Sequence, residues 1–454
     1  MTAPVPDARG QRLARGPAVA TLVVAAVLLA ALAAVTVPWD WVPGGHLVPR
    51  TAQSLFSPAQ IARAERYSHL QRVAGWTSYA LSLAVLLVLG LTPLGARLLR
   101  RLAPRRWWVA VPIGALLVLI LERLVEVPFW VAEHRTDLHY GISRQAWGPW
   151  AVDQAKGFGV SWVVTALALL VAVGLARRTP RWWFAWAAAG ALVLTLAGSF
   201  LYPVVVEPLF NRFTPMADGP FKQSVLRLAA REGVHVDDVL VADASRRTTT
   251  VNAYVSGFGD TRRIVVYDNL LHDLTPAEAR VVIAHELGHA RNHDVLLGTG
   301  LGGIAAVGGV ALLALMTDSE RLRRRARVTG PADPAAIALM LALVAVGGFL
   351  ASPVQNTVSR AIEARADRAS LAATHADATF IRMQRRLALT SLADPTPPWL
   401  SQLWWGTHPT VLQRAGLPQS LRAARSHAGS HAGSHAGSQA GSQGGSQGGG
   451  PSPR

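Results

Sequence analysis

The sequence predicts a mainly α protein, a multi-pass transmembrane helical bundle of about seven spans that carries a small α+β domain. Three observations lead there. Only 16% of the 454 residues are charged and 51% are hydrophobic, whereas a soluble chain carries about 25% charge. Seven apolar runs are each long enough to cross a bilayer. Between the fifth and the sixth, from Glu207 to His293, the chain turns polar and mixes helical periodicity with short β-branched runs.

The first residues are polar and carry Arg9, Arg12 and Arg15. The first span covers about 17–37 and leads into Val37-Pro38-Trp39, so no cleavable signal peptide is expected. Residues 38–76 are mixed, with Trp39 and Trp41 suited to an interface. The second span, about 77–96, ends in an arginine cluster from Arg97 to Arg106. The third runs from Trp107 to about 128, with Glu122, Arg123 and Glu126 in its last turns. Intramembrane charge is costly, so these either face the bundle interior or lie where the helix has left the bilayer. Residues 129–156 read as a polar loop. The fourth span, about 158–176, is followed by Arg177, Arg178 and Arg181, and the fifth runs from Trp182 to about Val206. Residues 1–206 are therefore an N-terminal membrane region with five spans.

Residues 207–425 form a second region, interrupted by spans at about 295–316 and 335–354. Pro220 to Glu232 has helical periodicity and Val239 to Val241 is a short strand. Asn252 to Phe258 and Arg263 to Tyr267 read as a hairpin turning at Gly259-Asp260. Arg321 to Arg327 is a further basic cluster after the sixth span. Residues 426–454 are a Ser/His/Ala/Gly/Gln-rich repeat with little to bury, expected to be disordered.

The chemistry centres on His285-Glu286-Leu287-Gly288-His289. Two histidines four apart share one helix face, so both can reach one metal ion. The glutamate between them can accept a proton from a water held by that ion. Thr275-Pro276-Ala277-Glu278 is a capping box with proline at the first helical position, so the helix starts there. The chain has no cysteine, which excludes disulfides and thiolate ligands and leaves His and carboxylate. A net charge of +17 reads as an orientation signal in the loops rather than a nucleic-acid footprint.

A catalytic site of this kind needs a third protein ligand. The positions where one extended motif would place a histidine hold Asn292 and Val295, and His293 lies a turn too far along the helix to converge. A glutamate on a second helix is the other solution. Glu363 and Asp367 are four apart on one face. Glu363 would complete the ligand set, and Asp367 would accept from the free ring nitrogen of a ligating histidine. By spacing alone, a solvated charged helix flanked by Arg360, Arg365 and Arg368 is as good a reading. Glu363 follows span seven and the histidines precede span six, so an antiparallel hairpin would place both at one membrane surface.

Taken together, Pro208 to Pro215, Asn252-Ala253-Tyr254 with Gly257-Phe258, His285 to His289, Ser359-Arg360 with Glu363 and Ala366-Asp367, then His408-Pro409 and Arg414, resemble the CAAX prenyl protease 1 family of integral-membrane zinc metalloproteases. HtpX-type membrane proteases are its relatives. The resemblance implies a zincin-type catalytic domain with Zn2+ on His285, His289 and Glu363, and Glu286 as general base. It implies that His408, Asn252 and Arg414 serve the oxyanion or the substrate backbone. The strand with Asn252 and Tyr254 would pair with an extended substrate. The expected partners are a peptide or protein substrate, lipidated or otherwise membrane-associated, and the bilayer itself, with no nucleic acid. HtpX-like quality control or peptide processing is the alternative activity. A non-hydrolytic metal-binding membrane protein is a further one, disfavoured because it needs no Glu286.

The expected location is the cell membrane. Arginine clusters before span one and after spans two, four and six all fall on one side, which the positive-inside rule makes cytoplasmic. The soluble domain would then face outward. The resemblance implies an active site facing the cytosol. Seven spans cannot satisfy both, and a count wrong by one would reconcile them.

Overall fold

The computed structural model describes residues 12–257 and 262–440, with side chains described as far as residue 427. Arg9, Phe258 and the Gly259-Asp260 turn lie outside the described residues, as do residues 441–454.

Apolar sequence makes the bundle. Helix α1 is Arg15–Thr36, followed by α2, Pro58–Leu91. A capping box starts α2 twenty residues earlier than hydropathy predicts: Ser57 Oγ accepts from Gln60 N and the Gln60 side chain accepts from Ser57 N, with Pro58 at the first position. The short α3, Pro93–Leu102, precedes α4, Trp107–Tyr140, and α5, Trp147–Arg178. Much of the expected loop 129–156 is thus helix. Its charges find partners inside the bundle, so α4 has no reason to stop at 128: Ser82 donates to Glu122 at 2.7 Å and Arg123 pairs with Glu126 at 3.1 Å. Helix α6 is Trp183–Leu201, and helical turns carry it on to Leu209.

The small domain comes next. Strand β1 is Phe213–Pro215, α7 is Pro220–Arg231, β2 is Asp238–Ala242, β3 is Ala253–Ser256 and β4 is Arg263–Tyr267. They form a sheet in the order β1-β2-β4-β3, with β2 and β4 parallel and the other pairs antiparallel. The expected hairpin is β3–β4, and β3 lies at the sheet edge. Short α8, Asp268–Asp273, leads into α9, Pro276–Arg291, which carries the two histidines. Its capping box is formed: Thr275 Oγ1 accepts from Glu278 N, and Glu278 Oε2 accepts from Thr275 N at 3.0 Å. The core beneath the sheet joins Val239, Ile264 and Val266 to Leu228 of α7 and Ile283 and Leu287 of α9.

Helix α10 is Asp294–Thr317, α11 is Glu320–Ala326 and α12 is Ile337–Thr374. Pro353 lies inside α12 rather than ending it. At 38 residues, α12 is roughly 57 Å long at 1.5 Å per residue, far more than the hydrocarbon thickness of about 30 Å. One continuous helix therefore spans the bilayer and then presents Glu363 above it. Helices α13, Asp377–Ser391, and α14, Trp399–Trp405, precede α15, Val411–Ala440. The tail expected to be disordered from Ser426 continues α15 as far as Ala440. A helix already nucleated upstream needs only propagation to extend through alanine-bearing sequence.

Seven helices among the described residues are long and apolar enough to cross a membrane, the seventh being the helical stretch Pro334–Thr374. The protein is a multi-pass membrane protein. Two glycines let neighbours close on α12. A Cβ on Gly90 of α2 would lie 2.5 Å from Ala342 Cβ and 2.7 Å from the Ala338 carbonyl oxygen. On Gly288 of α9 it would lie 2.9 Å from Ala369 Cβ. The neighbouring atoms belong to α12 itself and have little room to yield. Gly288→Ala should overpack this contact at a cost of about 1–3 kcal/mol, read as a lower unfolding midpoint in detergent. An unchanged midpoint would mean that α9 and α12 separate freely.

Candidate metal centre

Helix α9 holds His285 and His289 one turn apart, and α12 brings Glu363 against them. The ring nitrogens His285 Nε2 and His289 Nε2 are 3.2 Å apart. Glu363 Oε2 is 3.1 Å from His285 Nε2, and Glu363 Oε1 is 3.5 Å from His289 Nε2. One atom from each residue lies within 4.8 Å of the other two. Two imidazoles and a carboxylate converging in a half-buried cleft are a fitting donor set for a divalent ion with a position left open.

A second layer stands behind the first. His285 Nδ1 lies 2.9 Å from Asp367 Oδ1, close enough for an ion pair though out of line for a straight hydrogen bond. Arg414 of α15 holds Asp367 with both arms, Nε to Oδ2 at 2.8 Å and a terminal nitrogen to Oδ1 at 2.6 Å. On the other side, His289 Nδ1 lies 2.8 Å from Asp294 Oδ2, and Arg365 of α12 pairs with Asp294 Oδ1. Each histidine is thus backed by a carboxylate, and each carboxylate by an arginine. Such partners fix the ring orientation and tautomer.

The residues singled out from sequence do not all go where the resemblance put them. Glu286 is half-buried and, with His289, lines a cavity of about 330 Å³ bounded by Tyr254, Val255 and Gly257 of the β3 region. His408 joins the cluster, with Nε2 3.4 Å from Glu363 Oε2. Asn252 is exposed at the start of β3. The guanidinium of Arg414 is directed at Asp367, which is fully buried and needs a countercharge. The Tyr254 hydroxyl donates to Glu207 Oε2 at 2.9 Å. Burial and the Glu207 carboxylate push the Tyr254 phenol up, so it stays a neutral donor.

Sequence reading missed Asp294 and Arg365. Asp294 is five residues beyond His289, a spacing that an unbroken helix would not point back. His293 breaks it: its φ of 56° turns the chain between α9 and α10. That turn also settles His293 as a helix-end residue rather than a ligand.

The catalytic half, residues 215–419, matches the model of peptidase family M48, and residues 44–212 match that of the CAAX prenyl protease N-terminal domain with five membrane helices. The uncharacterized metalloprotease YhfN of Bacillus subtilis is 30% identical over 372 residues, covering 80% of this chain and 86% of that protein. The chain belongs to peptidase family M48. The CAAX prenyl protease 1 homolog of rice, Oryza sativa subsp. japonica, is 28% identical over 65% of this chain and 70% of its own. The yeast Saccharomyces cerevisiae CAAX prenyl protease 1 is 30% identical over 38% and 39% respectively. A crystal structure of S. mikatae Ste24p shares the fold, with a TM-score of 0.72 at 18% identity over 88% of this chain and 98% of that one. This M48 peptidase is therefore an integral-membrane metalloprotease acting on a peptide or protein substrate, and its family implies a metal.

Burial pulls the His285 imidazolium down, but Asp367 and Glu363 beside it hold its proton and carry the balance up to about 10. For the metal-free fold the sign follows. The protonated ring adds stability that is complete below the ordinary value of 6.5 and is lost as pH rises through about 10. A ligating His285 must be neutral. Loading a divalent metal at pH 8 should therefore release about one proton from this ring, seen by calorimetry in buffers of different ionisation heat. Heats that do not depend on the buffer would contradict this. Asp294→Ala should weaken metal binding by about 10–100-fold, measured by competition with a chelator.

Proposed function

We propose that this M48 peptidase is a zinc-dependent endopeptidase, hydrolysing peptide bonds close to the membrane surface. The observation that carries the reading is the convergence of His285 and His289 from α9 with Glu363 from α12, while Glu286 opens into the cavity beside β3. His285, His289 and Glu363 would hold the zinc, a choice of metal that suits two imidazoles and one carboxylate. Bound there, zinc supplies a Lewis acid for the scissile carbonyl and lowers the pKa of a water.

The chain's own residues do the rest. Glu286 takes the proton of the attacking water and passes it to the leaving amine. Burial pushes its carboxyl up, against the pull of His285 and His289, toward the range in which a base also returns its proton. His408 stands across Glu363. His408 Nδ1 lies 2.8 Å from the Thr407 hydroxyl; with that hydroxyl as the donor, the ring hydrogen sits on Nε2, where it would serve an oxyanion. Asp367 and Asp294 orient the two ligand histidines, and Arg414 and Arg365 pair with those carboxylates from behind. The edge strand β3, from Ala253 to Ser256 directly after Asn252, would take an extended peptide as one more strand. This aligns its carbonyls past Glu286 without reading side chains closely. Residues 207–425 would be the protease domain, and 1–206 a membrane region that presents substrate to it.

The relatives named CAAX prenyl protease 1 suggest a lipidated peptide as substrate, and a broader membrane-protein or peptide-processing role is the second reading. Both share one test of mechanism. Glu286→Gln should lower kcat for peptide cleavage by about 10²–10⁴-fold, while the zinc content of the purified protein stays that of the parent. Full activity in that variant would overturn the assignment. Prenylated and plain peptides of one sequence, assayed side by side, separate the two substrate readings by their kcat/KM.

A further inference from the structure

The four basic segments, far apart in sequence, meet at one end of the bundle. Ala14 N donates to the Arg181 carbonyl at 3.0 Å, and Arg15 pairs with Asp318 at 2.6 Å. Arg100 pairs with Asp333 at 3.1 Å and donates to the Arg327 carbonyl at 2.7 Å. Arg177 donates to the Ala332 carbonyl at 3.1 Å. Residues 12–15, 97–106, 177–182 and 318–333 therefore share one face. They hold fifteen arginines and three carboxylates. The metal centre lies at the far end of α12, with Glu363 roughly 40 Å along the helix from its start at 1.5 Å per residue. At that far end the extramembrane segments 38–76 and 129–156 hold seven basic side chains, Arg50, Arg63, Arg66, Arg72, Arg135, Arg144 and Lys156, nearly balanced by five carboxylates. The remaining chain there is folded domain, whose length takes it out of the charge rule.

The basic end is also built to lie in a headgroup layer. Helix α3 packs its Gly95 side against α12 and turns Leu94 and Leu102 outward beside Arg97 and Arg101. An amphipathic basic helix with exposed leucines suits an anionic interface. Trp108 and Trp182 are exposed at the same level, as interfacial tryptophans are. An odd number of spans puts the basic amino-terminal end and the metal centre on opposite faces. With seven candidate spans in the structure, the conflict does not dissolve by recounting.

We propose that the arginine end faces the cytoplasm against its anionic leaflet, so that the His285–His289–Glu363 centre serves the opposite face. Its substrates are then peptide segments that have reached or crossed to the non-cytoplasmic side. The substrate statement rests on the protease reading; the orientation does not.

The chain has no cysteine, so single-cysteine variants report position without background. Asp218 of the small domain and Arg324 of the basic end have side chains 94% and 77% exposed. In intact cells a membrane-impermeant maleimide should label D218C at least about tenfold more than R324C, with R324C reached only after permeabilisation. Labelling under denaturing conditions normalises for the amount of each variant. The reverse pattern, or equal labelling of both before permeabilisation, overturns the proposal. Repeating the assay in the Glu286→Gln background gives the same pattern whether or not the protein is a protease. A failure of orientation is thereby distinguished from a failure of mechanism.

Discussion

The structure depends on the contact between α9 and α12 at Gly288. There the absence of a side chain lets the histidine helix lie on Ala366 and Ala369 of the helix that carries Glu363. The buried Ser370 hydroxyl donates to the Val281 carbonyl at 2.8 Å across the same seam. Metal ligands on two helices tolerate little play, because a donor displaced by a fraction of an ångström no longer reaches the ion. The small-residue seam sets that separation, and α12 sets the depth. Since α12 runs unbroken from the basic end to Glu363, it sets how far the metal centre stands from that end.

Charge is arranged around that seam in alternation. Histidine, carboxylate and arginine follow one another outward on both sides, through Asp367 to Arg414 and through Asp294 to Arg365. Burying so many ionised groups is costly, and only near-complete pairing makes it bearable. The return is orientation, since each ring is held from behind while its other nitrogen points at the ligand cluster. The pairs also tie elements together. Arg365–Asp294 joins α12 to the first residue of α10, and Arg414–Asp367 joins α15 to α12. The membrane hairpin and the catalytic domain therefore share one electrostatic framework.

In the proposed mechanism the site would meet its substrate through the sheet. The edge strand β3 and the Glu286 side of α9 bound one cavity, so a backbone laid along β3 would pass the proposed general base. Recognition through backbone hydrogen bonds is tolerant of sequence. Selectivity must then come from what the membrane region lets approach, which is why the orientation of the bundle bears directly on the biology of the enzyme.

Much of this was written locally in the sequence. Seven apolar runs, the Thr275–Glu278 capping box, the β3–β4 pair and the spacing of His285, Glu286 and His289 are each short-range patterns, and short-range patterns survive without tertiary information. Helix lengths were not legible where charge interrupts hydropathy. Glu122 and Arg123 read as an ending, but Ser82 of α2 donates to Glu122 and α4 continues to Tyr140. Glu363 could be named but not distinguished by spacing from a solvated charge. Asp294 could not be named at all, because the left-handed turn at His293 brings it back to His289. Arg414 carried no signal for its true neighbour, Asp367, which is 47 residues away along the chain. The sequence by itself determined the membrane class, the histidine helix and its chemistry, since periodicity and composition act within a few turns. Only the tertiary structure decided which charges meet, because pairing between distant helices depends on how closely their backbones can approach.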